Sequence, residues 1–208
     1  MVHKPLRLVI SDIGDVYVRW HGVISRICQI YGLPKEEFTS WYLNGFATML
    51  YEGILPIEEF WKTVNITYHV NVTGDPFTTY FDGTPIKGME RVFKALKAHG
   101  IRLVSASNTY APNWDVCFRY ADMSVFSAHY PSHLLHLAKP SQEYFHAVLD
   151  KERVAPALCL FIDDREENIK GAQEAGIPSY QYLFSEDPDA TNLEAFLNQR
   201  YGFTPPLA

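Results

Sequence analysis

The chain has 208 residues, a hydrophobic fraction of 47% and a net charge of −6 at pH 7, which fits one domain with a large insertion or two small domains. The acidic balance, without a basic stripe, argues against a nucleic-acid-binding protein. No apolar run approaches the roughly 18 residues that span a bilayer, so we expect no membrane partner either.

The first predicted element is a buried strand over residues 6–11 that ends at a carboxylate. Its sequence, Leu-Arg-Leu-Val-Ile-Ser, runs directly into Asp12, and Gly14 follows two residues later. A short apolar run of this kind is typical of a parallel strand that is covered on both faces. Ligands of open α/β sheets bind at the carboxyl edge of such strands, so Asp12 is a candidate functional residue.

Residues 16–83 are predicted to form a helical cap inserted after this strand. Pro34 and Pro56 suit first helical positions. Helical patterns cover three segments: residues 23–31, 34–51 and 56–65. We expect the cap to cover the carboxyl edge of the sheet, where lids exclude water; a structural domain with no catalytic part is the alternative. Its aromatic residues are expected mainly in the cap core, with some facing the crevice: Trp20, Tyr42, Phe46, Tyr51 and Trp61.

The chain from residue 84 onward alternates helices and strands. Helices are predicted over residues 88–97, 140–150, 166–175 and around 193–197, and strands over residues 101–105, 158–162 and 179–183. This alternation predicts an α/β fold, a Rossmann-like doubly wound parallel sheet with helices on both faces and right-handed crossovers. Residues 1–15 and 84–208 then form the core domain around the cap.

Candidate functional residues cluster at the carboxyl ends of the predicted strands. In chain order they are Asp12, Ser107, Asn108, Asp163 and Asp164, with Lys139 just before a predicted helix. In a doubly wound sheet these ends converge on one crevice. Carboxylates that share a crevice stay ionised only if cations compensate them. Lys139 supplies one cation, and a hard divalent ion such as Mg²⁺ is the expected second.

Four short segments resemble, in order, the four motifs of the haloacid dehalogenase-like (HAD) hydrolase superfamily. They are residues 8–16, 107–109, 139–140 and 163–168, the last in the Asp-Asp-x-x-x-Asn form. The helical insertion after the first motif is similar to the family's cap. The resemblance is strongest to phosphatases of the family, including sugar-phosphate phosphatases and the phosphatase domain of soluble epoxide hydrolase.

The resemblance implies a Mg²⁺-dependent phosphatase that hydrolyses small phosphorylated metabolites, with sugar phosphates among the candidates. Asp12 would attack phosphorus and form an aspartyl-phosphate, which water then hydrolyses. Asp12, the backbone carbonyl of Gly14 and Asp164 would hold Mg²⁺.

The resemblance also implies roles for the remaining motif residues. Ser107 and Asn108 would hydrogen-bond the phosphoryl oxygens. Lys139 would neutralise charge on the nucleophile and the phosphoryl group. Asp163 would orient Lys139, and Asn168 would brace the fourth loop.

Gly14 departs from the family's pattern, which has a second Asp there to protonate the leaving alcohol and activate water. Asp15 is the neighbouring candidate for this acid–base role, but adjacent side chains in an extended segment point to opposite faces. General acid–base help is worth about 10²–10⁴-fold, so its loss slows an enzyme without abolishing activity. A cap residue, a water or a good leaving group could compensate.

Three other functions follow from the same residues. A 2-haloacid dehalogenase also lacks the second Asp, but such relatives need no metal, and the pair Asp163 and Asp164 argues against it. A phosphomutase is disfavoured because returning the phosphoryl group depends on the missing acid–base. A non-catalytic protein that binds a ligand or a partner would explain Gly14, although a pure binder has no need of the nucleophile Asp12 or of Lys139.

Cysteine and histidine do not predict a separate metal site. Cys28, Cys117 and Cys159 lack metal-site spacing. His129, His133 and His136 have helical spacing, but Pro131 interrupts the run. With no predicted signal peptide, the odd number of cysteines suggests a reducing, cytoplasmic location. We expect a monomer or a homodimer.

Overall fold

The structure, a computed structural model, describes residues 4–20, 22–203 and 207. These residues form seven strands: β1 (Leu8–Ser11), β2 (Val18–Trp20), β3 (Gly83–Pro85), β4 (Arg102–Ser107), β5 (Ala128–Pro131), β6 (Cys159–Asp163) and β7 (Ser179–Gln181). Five of them make a parallel sheet in the order β5-β4-β1-β6-β7, and β2 pairs with β3 in a separate antiparallel ribbon.

Helices connect the strands and cover the sheet. The described α-helices are α1 (Val23–Tyr31), α2 (Lys35–Trp41), α3 (Ala47–Tyr51), α4 (Ile57–Tyr68), α5 (Pro76–Thr79), α6 (Lys87–Ala98), α7 (Ala111–Cys117), α8 (Ser132–Leu135), α9 (Gln142–Glu152), α10 (Glu166–Glu174) and α11 (Thr191–Tyr201). A π-helical turn, Tyr42–Phe46, joins α2 to α3. In the part of the chain that the structure describes, no helix combines the length and the apolar character that crossing a membrane requires.

β1 lies at the centre of the sheet and is completely buried. Its Val9 stands opposite Leu103 of β4 and Leu160 of β6, in parallel register. Because successive strand residues point to opposite faces, these three side chains enter one hydrophobic cluster, and Ile10 enters the other. Helices α6 and α11 contribute to the first cluster and α9 and α10 to the second. The predicted doubly wound α/β fold is confirmed.

Helices α1–α5 lie between β2 and β3 and share a hydrophobic cluster of their own. The cluster is rich in aromatic rings, with Phe38, Phe60 and Trp61 almost fully buried, and it also includes Tyr110 from the loop after β4. The β2–β3 ribbon is where the chain leaves the sheet layer and returns to it, with Val18 opposite Pro85. That residues 16–83 work as a cap stays a prediction.

Several boundaries differ from those that the sequence predicts. The single helix expected over residues 34–51 is broken at Gly45, whose φ of 126° is outside the helical region. Pro34 and Pro56 stand one residue before their helices, with ψ angles of 107° and 142° rather than helical values. The ribbon and β5 had no sequence signal, because both β2 and β5 are short and only partly apolar.

Candidate active site

The carboxyl ends of β1, β4 and β6 bring the predicted residues to one edge of the sheet. Asp12 follows β1, and its backbone N–H donates to the carbonyl of Ile162 in β6 at 2.9 Å. Ser107 ends β4, and Asp163 ends β6. Parallel pairing of three neighbouring strands therefore sets the spacing of these side chains.

Lys139 lies between two of the carboxylates. Its Nζ is 2.6 Å from Asp163 Oδ2 and 3.0 Å from Asp12 Oδ1, and its side chain is only 1% exposed. Burial alone would lower the pKa of Lys139, but the two carboxylates outweigh it and raise that pKa. The buried ammonium therefore stays charged and offsets the charge of its two partners.

Asp163 is held by a network of donors rather than left free. Its Oδ1 accepts hydrogen bonds from the backbone N–H of Arg165 at 2.9 Å and from Asn168 Nδ2 at 3.0 Å. Asn168 also reaches Oδ2 at 3.1 Å. With Lys139 on the same carboxylate, Asp163 is positioned to hold the ammonium, as its predicted orienting role requires.

Asn108 makes a contact that the sequence did not reveal. Its Nδ2 donates to the backbone carbonyl of Lys139 at 2.8 Å, and its Oδ1 accepts from the backbone N–H of Lys139 at 2.9 Å. The side-chain amide thus fixes the loop that carries Lys139, in addition to facing the cavity described below. Residue spacing gives no signal for such a pairing, because residues 108 and 139 belong to different loops.

The three acidic side chains could hold a metal ion. One carboxylate oxygen from each of Asp12, Asp163 and Asp164 lies within 4.8 Å of the others. Burial and the neighbouring carboxylates raise the pKa of Asp164 to about 8, and burial raises that of Asp12 to about 6 despite the opposing effect of Lys139. A buried cluster of hard oxygen donors with excess negative charge suits Mg²⁺. Because the carboxylate of Asp163 already binds Lys139 and Asn168, Asp12 and Asp164 are the better ligands for a metal ion.

These residues surround a cavity of about 220 Å³, which we call the charged cavity. Its lining includes every predicted site residue except Asp163, and adds Trp20, Tyr51 and Arg165. Sequence reasoning placed Trp20 and Tyr51 among the cap aromatics without deciding which of them face the crevice. A wider opening of about 490 Å³ runs along α2, but its lining side chains, such as Glu36 and Leu43, are exposed surface.

Asp15 lines the charged cavity, but its carboxylate is paired. Its Oδ1 accepts from Arg19 Nε at 3.0 Å. The backbone at Asp15 has φ 52°, in the left-handed region. The extended backbone predicted at this position is wrong, because the chain turns at Asp15 towards β2. An acid–base role for Asp15 stays a prediction.

The three histidines have separate partners. The Nδ1 atom of His129 lies 2.8 Å from Ser105 Oγ, that of His133 lies 3.2 Å from the carbonyl of Thr109, and that of His136 lies 2.9 Å from the carbonyl of Glu52. Each ring is therefore used in an individual structural contact. The last one joins the loop after α8 to the helical segment.

Comparison with known structures gives the same fold. The magnesium complex of HAD family enzyme bt-2542 from Bacteroides thetaiotaomicron aligns with a TM-score of 0.76 at 24% identity, covering 91% of this chain and 98% of that one. A predicted HAD-like family hydrolase from Porphyromonas gingivalis aligns with a TM-score of 0.70 at 22% identity, covering 90% and 97%. L-2-haloacid dehalogenase from Xanthobacter autotrophicus aligns with a TM-score of 0.62 at 16% identity, covering 85% and 77%.

Comparison by sequence identifies the family. No curated protein matches the chain. A family model described as haloacid dehalogenase-like hydrolase matches residues 24–176, which is more than half of the sequence. Together with the fold and the acidic edge of the sheet, this match shows that the chain belongs to the haloacid dehalogenase-like hydrolases.

Proposed function

We propose that the chain is a Mg²⁺-dependent phosphatase that acts on small phosphorylated metabolites through an aspartyl-phosphate on Asp12. The observation that carries the proposal is the placement of Lys139, whose ammonium lies between Asp12 and Asp163 at the edge of the charged cavity. Phosphoryl transfer needs mainly positioning and neutralisation of charge, and this arrangement supplies both.

Asp12 is suited to act as the nucleophile. The Lys139 ammonium lowers the pKa of Asp12 against the effect of burial and so favours the ionised carboxylate, and its contact with Oδ1 fixes the orientation of Asp12. Ser107 lines the same cavity, where its hydroxyl could donate to a phosphoryl oxygen. Asn108 and Asp163 then act on the reaction by holding Lys139 in place.

The donor set also supports a role for Mg²⁺. Asp12, Asp164 and the backbone carbonyl of Gly14 would hold the ion, and all three residues line the charged cavity. When bound, Mg²⁺ would neutralise phosphoryl charge and orient the group. A structure of bt-2542, which shares the fold, is a complex with magnesium and inorganic phosphate; the metal is the one proposed here, and phosphate would be the product of the proposed reaction.

The test is hydrolysis of a generic aryl phosphate. We expect turnover with Mg²⁺, its loss with EDTA, and its loss in Asp12→Asn. Asp150→Asn is the matched control, since Asp150 is exposed on α9. Equal turnover by the unmodified protein and Asp12→Asn over a broad panel of phosphates would show that the nucleophile is misassigned. The same panel, with sugar phosphates included, reports the substrate.

Two alternative functions predict results that differ from those of a phosphatase. Gly14 and the fold shared with L-2-haloacid dehalogenase motivate dehalogenation, which predicts halide release from a 2-haloacid without added metal. The acidic cluster weighs against it, because a metal-free reaction does not need three carboxylates within 4.8 Å. A non-catalytic binding protein predicts no turnover on any substrate and unchanged ligand binding in Asp12→Asn.

We also propose that residues 16–83 act as the cap of this site.

A further inference from the structure

The indole of Trp20 lies directly beside Gly14, where a side chain at residue 14 would begin. A Cβ atom built on Gly14 would lie 3.1 Å from Trp20 Nε1 and 3.5 Å from Trp20 Cδ1. Gly14 is not one of the residues with positive φ, so its backbone does not require glycine. A Cβ at this position would therefore contact the indole tightly, and the ring would have to shift by a few tenths of an ångström to admit it.

Trp20 is fixed at the boundary between the two halves of the molecule. It ends β2, where it pairs with Gly83 of β3. Its half-buried ring packs against the cluster of the sheet and against the cluster of the helical segment. Within the part of the chain that the structure describes, Trp20 Nε1 has no hydrogen-bond acceptor. The indole N–H, which can only donate, is thus available to a ligand.

A second, smaller cavity adjoins the charged one at Trp20. It has a volume of about 50 Å³, and its walls are largely aromatic, with Tyr42, Phe77 and Tyr110 among them. Trp20 and Tyr51 line both cavities. Asp12, Lys139 and Asp164 line only the charged one. The boundary at Trp20 therefore separates a charged compartment from an uncharged one.

This boundary is where the leaving oxygen of a substrate has to lie. Attacking and leaving oxygens are roughly in line across phosphorus. With Asp12 attacking and Lys139 holding phosphoryl charge, the leaving oxygen points away from the carboxylates. Trp20 lines both the charged cavity and the adjoining uncharged one, so its N–H is a candidate partner for that oxygen.

We propose that Trp20 donates a hydrogen bond from its indole N–H to the leaving oxygen, where a proton donor at residue 14 would otherwise act. The inference rests on the proposed phosphatase function and narrows its substrates. An indole N–H stabilises a developing anion but does not release its proton at ordinary pH. The substrates are then phosphates whose leaving group departs as a stable anion, namely aryl and acyl phosphates.

The chemical steps balance without an acid at residue 14. An oxygen of Asp12 forms a bond to phosphorus as the bond from phosphorus to the leaving oxygen breaks. The leaving group keeps that electron pair, departs as an anion hydrogen-bonded to Trp20, and takes a proton from solvent. Water then forms a bond to phosphorus, the bond to Asp12 breaks, and the proton of the water passes to solvent.

The test measures kcat/KM for a series of aryl phosphates that differ in the acidity of the leaving phenol. The unmodified protein should show a steep fall in kcat/KM as the phenol becomes less acidic. Trp20→Phe removes the N–H and keeps an aromatic ring. It should lower kcat/KM by about 10-fold to 100-fold for the poorest leaving group, the scale expected for one lost hydrogen bond to a charged group, and by less for the best. Trp41→Phe is the matched control, since Trp41 is also half-buried but lines neither cavity.

A second variant tests the space beside Gly14. Gly14→Asp alone should lower activity, because the new side chain meets the indole. Gly14→Asp combined with Trp20→Phe frees the space nearest the new Cβ and should flatten the dependence on the leaving group, because a carboxyl group can donate a proton.

The outcomes separate this inference from the proposed function. A shallow dependence in the unmodified protein would overturn the inference even if Trp20→Phe does not fold. An equal loss in Trp20→Phe for every leaving group would also overturn it, because that result indicates only a structural role. No hydrolysis of any phosphate would instead overturn the proposed function itself.

Discussion

The two walls of the active-site cleft differ in almost every physical property. The wall formed by the sheet carries the charges, and its side chains are fixed by specific partners, as Lys139 is by Asp12 and Asp163. The wall formed by the helical segment is aromatic, and rings such as Tyr42 and Tyr51 face the cleft. Under the proposed function, the sheet wall would bind the phosphoryl group and the metal ion, and the helical wall would mainly select what is attached to that group.

The side chains of the two walls are also stabilised in different ways. A charged group in the sheet wall is stable only while its partners are present, since an unpaired buried charge is costly. An aromatic ring in the helical wall packs against several neighbours, as Tyr42 does against Phe38, Phe60 and Phe77. Changes in the sheet wall should therefore be severe and specific, and changes in the helical wall mild and graded.

The largest effect is expected for Lys139→Met. Loss of the ammonium leaves two carboxylates without their cation, so we expect a fall of about 10²–10³-fold in kcat, the scale of removing one key electrostatic group. The free energy of unfolding should fall by about 3–5 kcal/mol, as for other broken buried pairs. Kinetics and urea denaturation measure both. Lys151→Met, at an exposed position on α9, is the control. Unchanged activity in Lys139→Met would contradict the expectation that changes in the sheet wall are severe.

The next effect concerns metal binding by the sheet wall. A ligand that binds only the folded protein stabilises it, by about 2.7 kcal/mol at a hundred times its Kd. Mg²⁺ should therefore raise the melting temperature of the unmodified protein and leave that of Asp164→Asn unchanged. Differential scanning fluorimetry with and without Mg²⁺ provides the measurement. Glu166→Gln, at an exposed position in the next helix, should keep the response; a full response in Asp164→Asn would place the metal elsewhere.

A smaller effect is expected in the helical wall. Tyr51→Phe removes the hydroxyl that lies 3.2 Å from that of Tyr42 and keeps the ring. We expect a change of about 2-fold to 10-fold in relative kcat/KM among substrates, the scale of one hydrogen bond. Tyr51 also lines the charged cavity, but the charge that would attract phosphate is on Lys139, so inhibition by inorganic phosphate should change less than the relative kcat/KM. A loss of phosphate inhibition as large as the change in relative kcat/KM would show that the helical wall also binds the phosphoryl group.

The smallest effect is expected away from both walls, at Glu152. Arg102 and Tyr130 hydrogen-bond its carboxylate, at 3.0 Å from Arg102 Nη2 and 2.6 Å from Tyr130 Oη. Although burial opposes them, these contacts hold the pKa of Glu152 below its usual value. Because the folded pKa is lowered, the stabilisation is present above the unfolded pKa and is lost as pH falls through the folded value. Glu152→Gln should cost about 1 kcal/mol at pH 7, nothing in strong acid, and no activity, as urea denaturation at both pH values and kinetics would show.

The sheet wall could be predicted from the sequence because its signals are local. An apolar strand that ends at Asp12, or at Asp163 and Asp164, predicts a carboxylate at the carboxyl end of a strand. Parallel topology then brings these strand ends to one edge of the sheet. The hydrogen bonds between Asn108 and the backbone of Lys139 could not be predicted in this way. It joins two loops that are distant in sequence, and neither loop carries a pattern that specifies the other.

The helical wall could be predicted only in outline. Periodic apolar residues indicated its helices, but an aromatic side chain that faces a cleft has the same spacing as one in a core. The break at Gly45 and the β2–β3 ribbon also lacked signals, and the ribbon is what places Trp20 beside Gly14. Tertiary packing, rather than local sequence, thus decides which aromatic side chains face the cleft.

The central claim is that Asp12 accepts the phosphoryl group beside a bound Mg²⁺. A crystal structure of the protein with Mg²⁺ and beryllium fluoride tests it most directly, because beryllium fluoride mimics a phosphoryl group on a carboxylate. We predict an adduct on an Asp12 oxygen, with its fluorines facing Lys139 and Ser107 and the metal held by Asp12 and Asp164. An adduct on any other residue, or metal bound away from Asp12 and Asp164, would contradict the account.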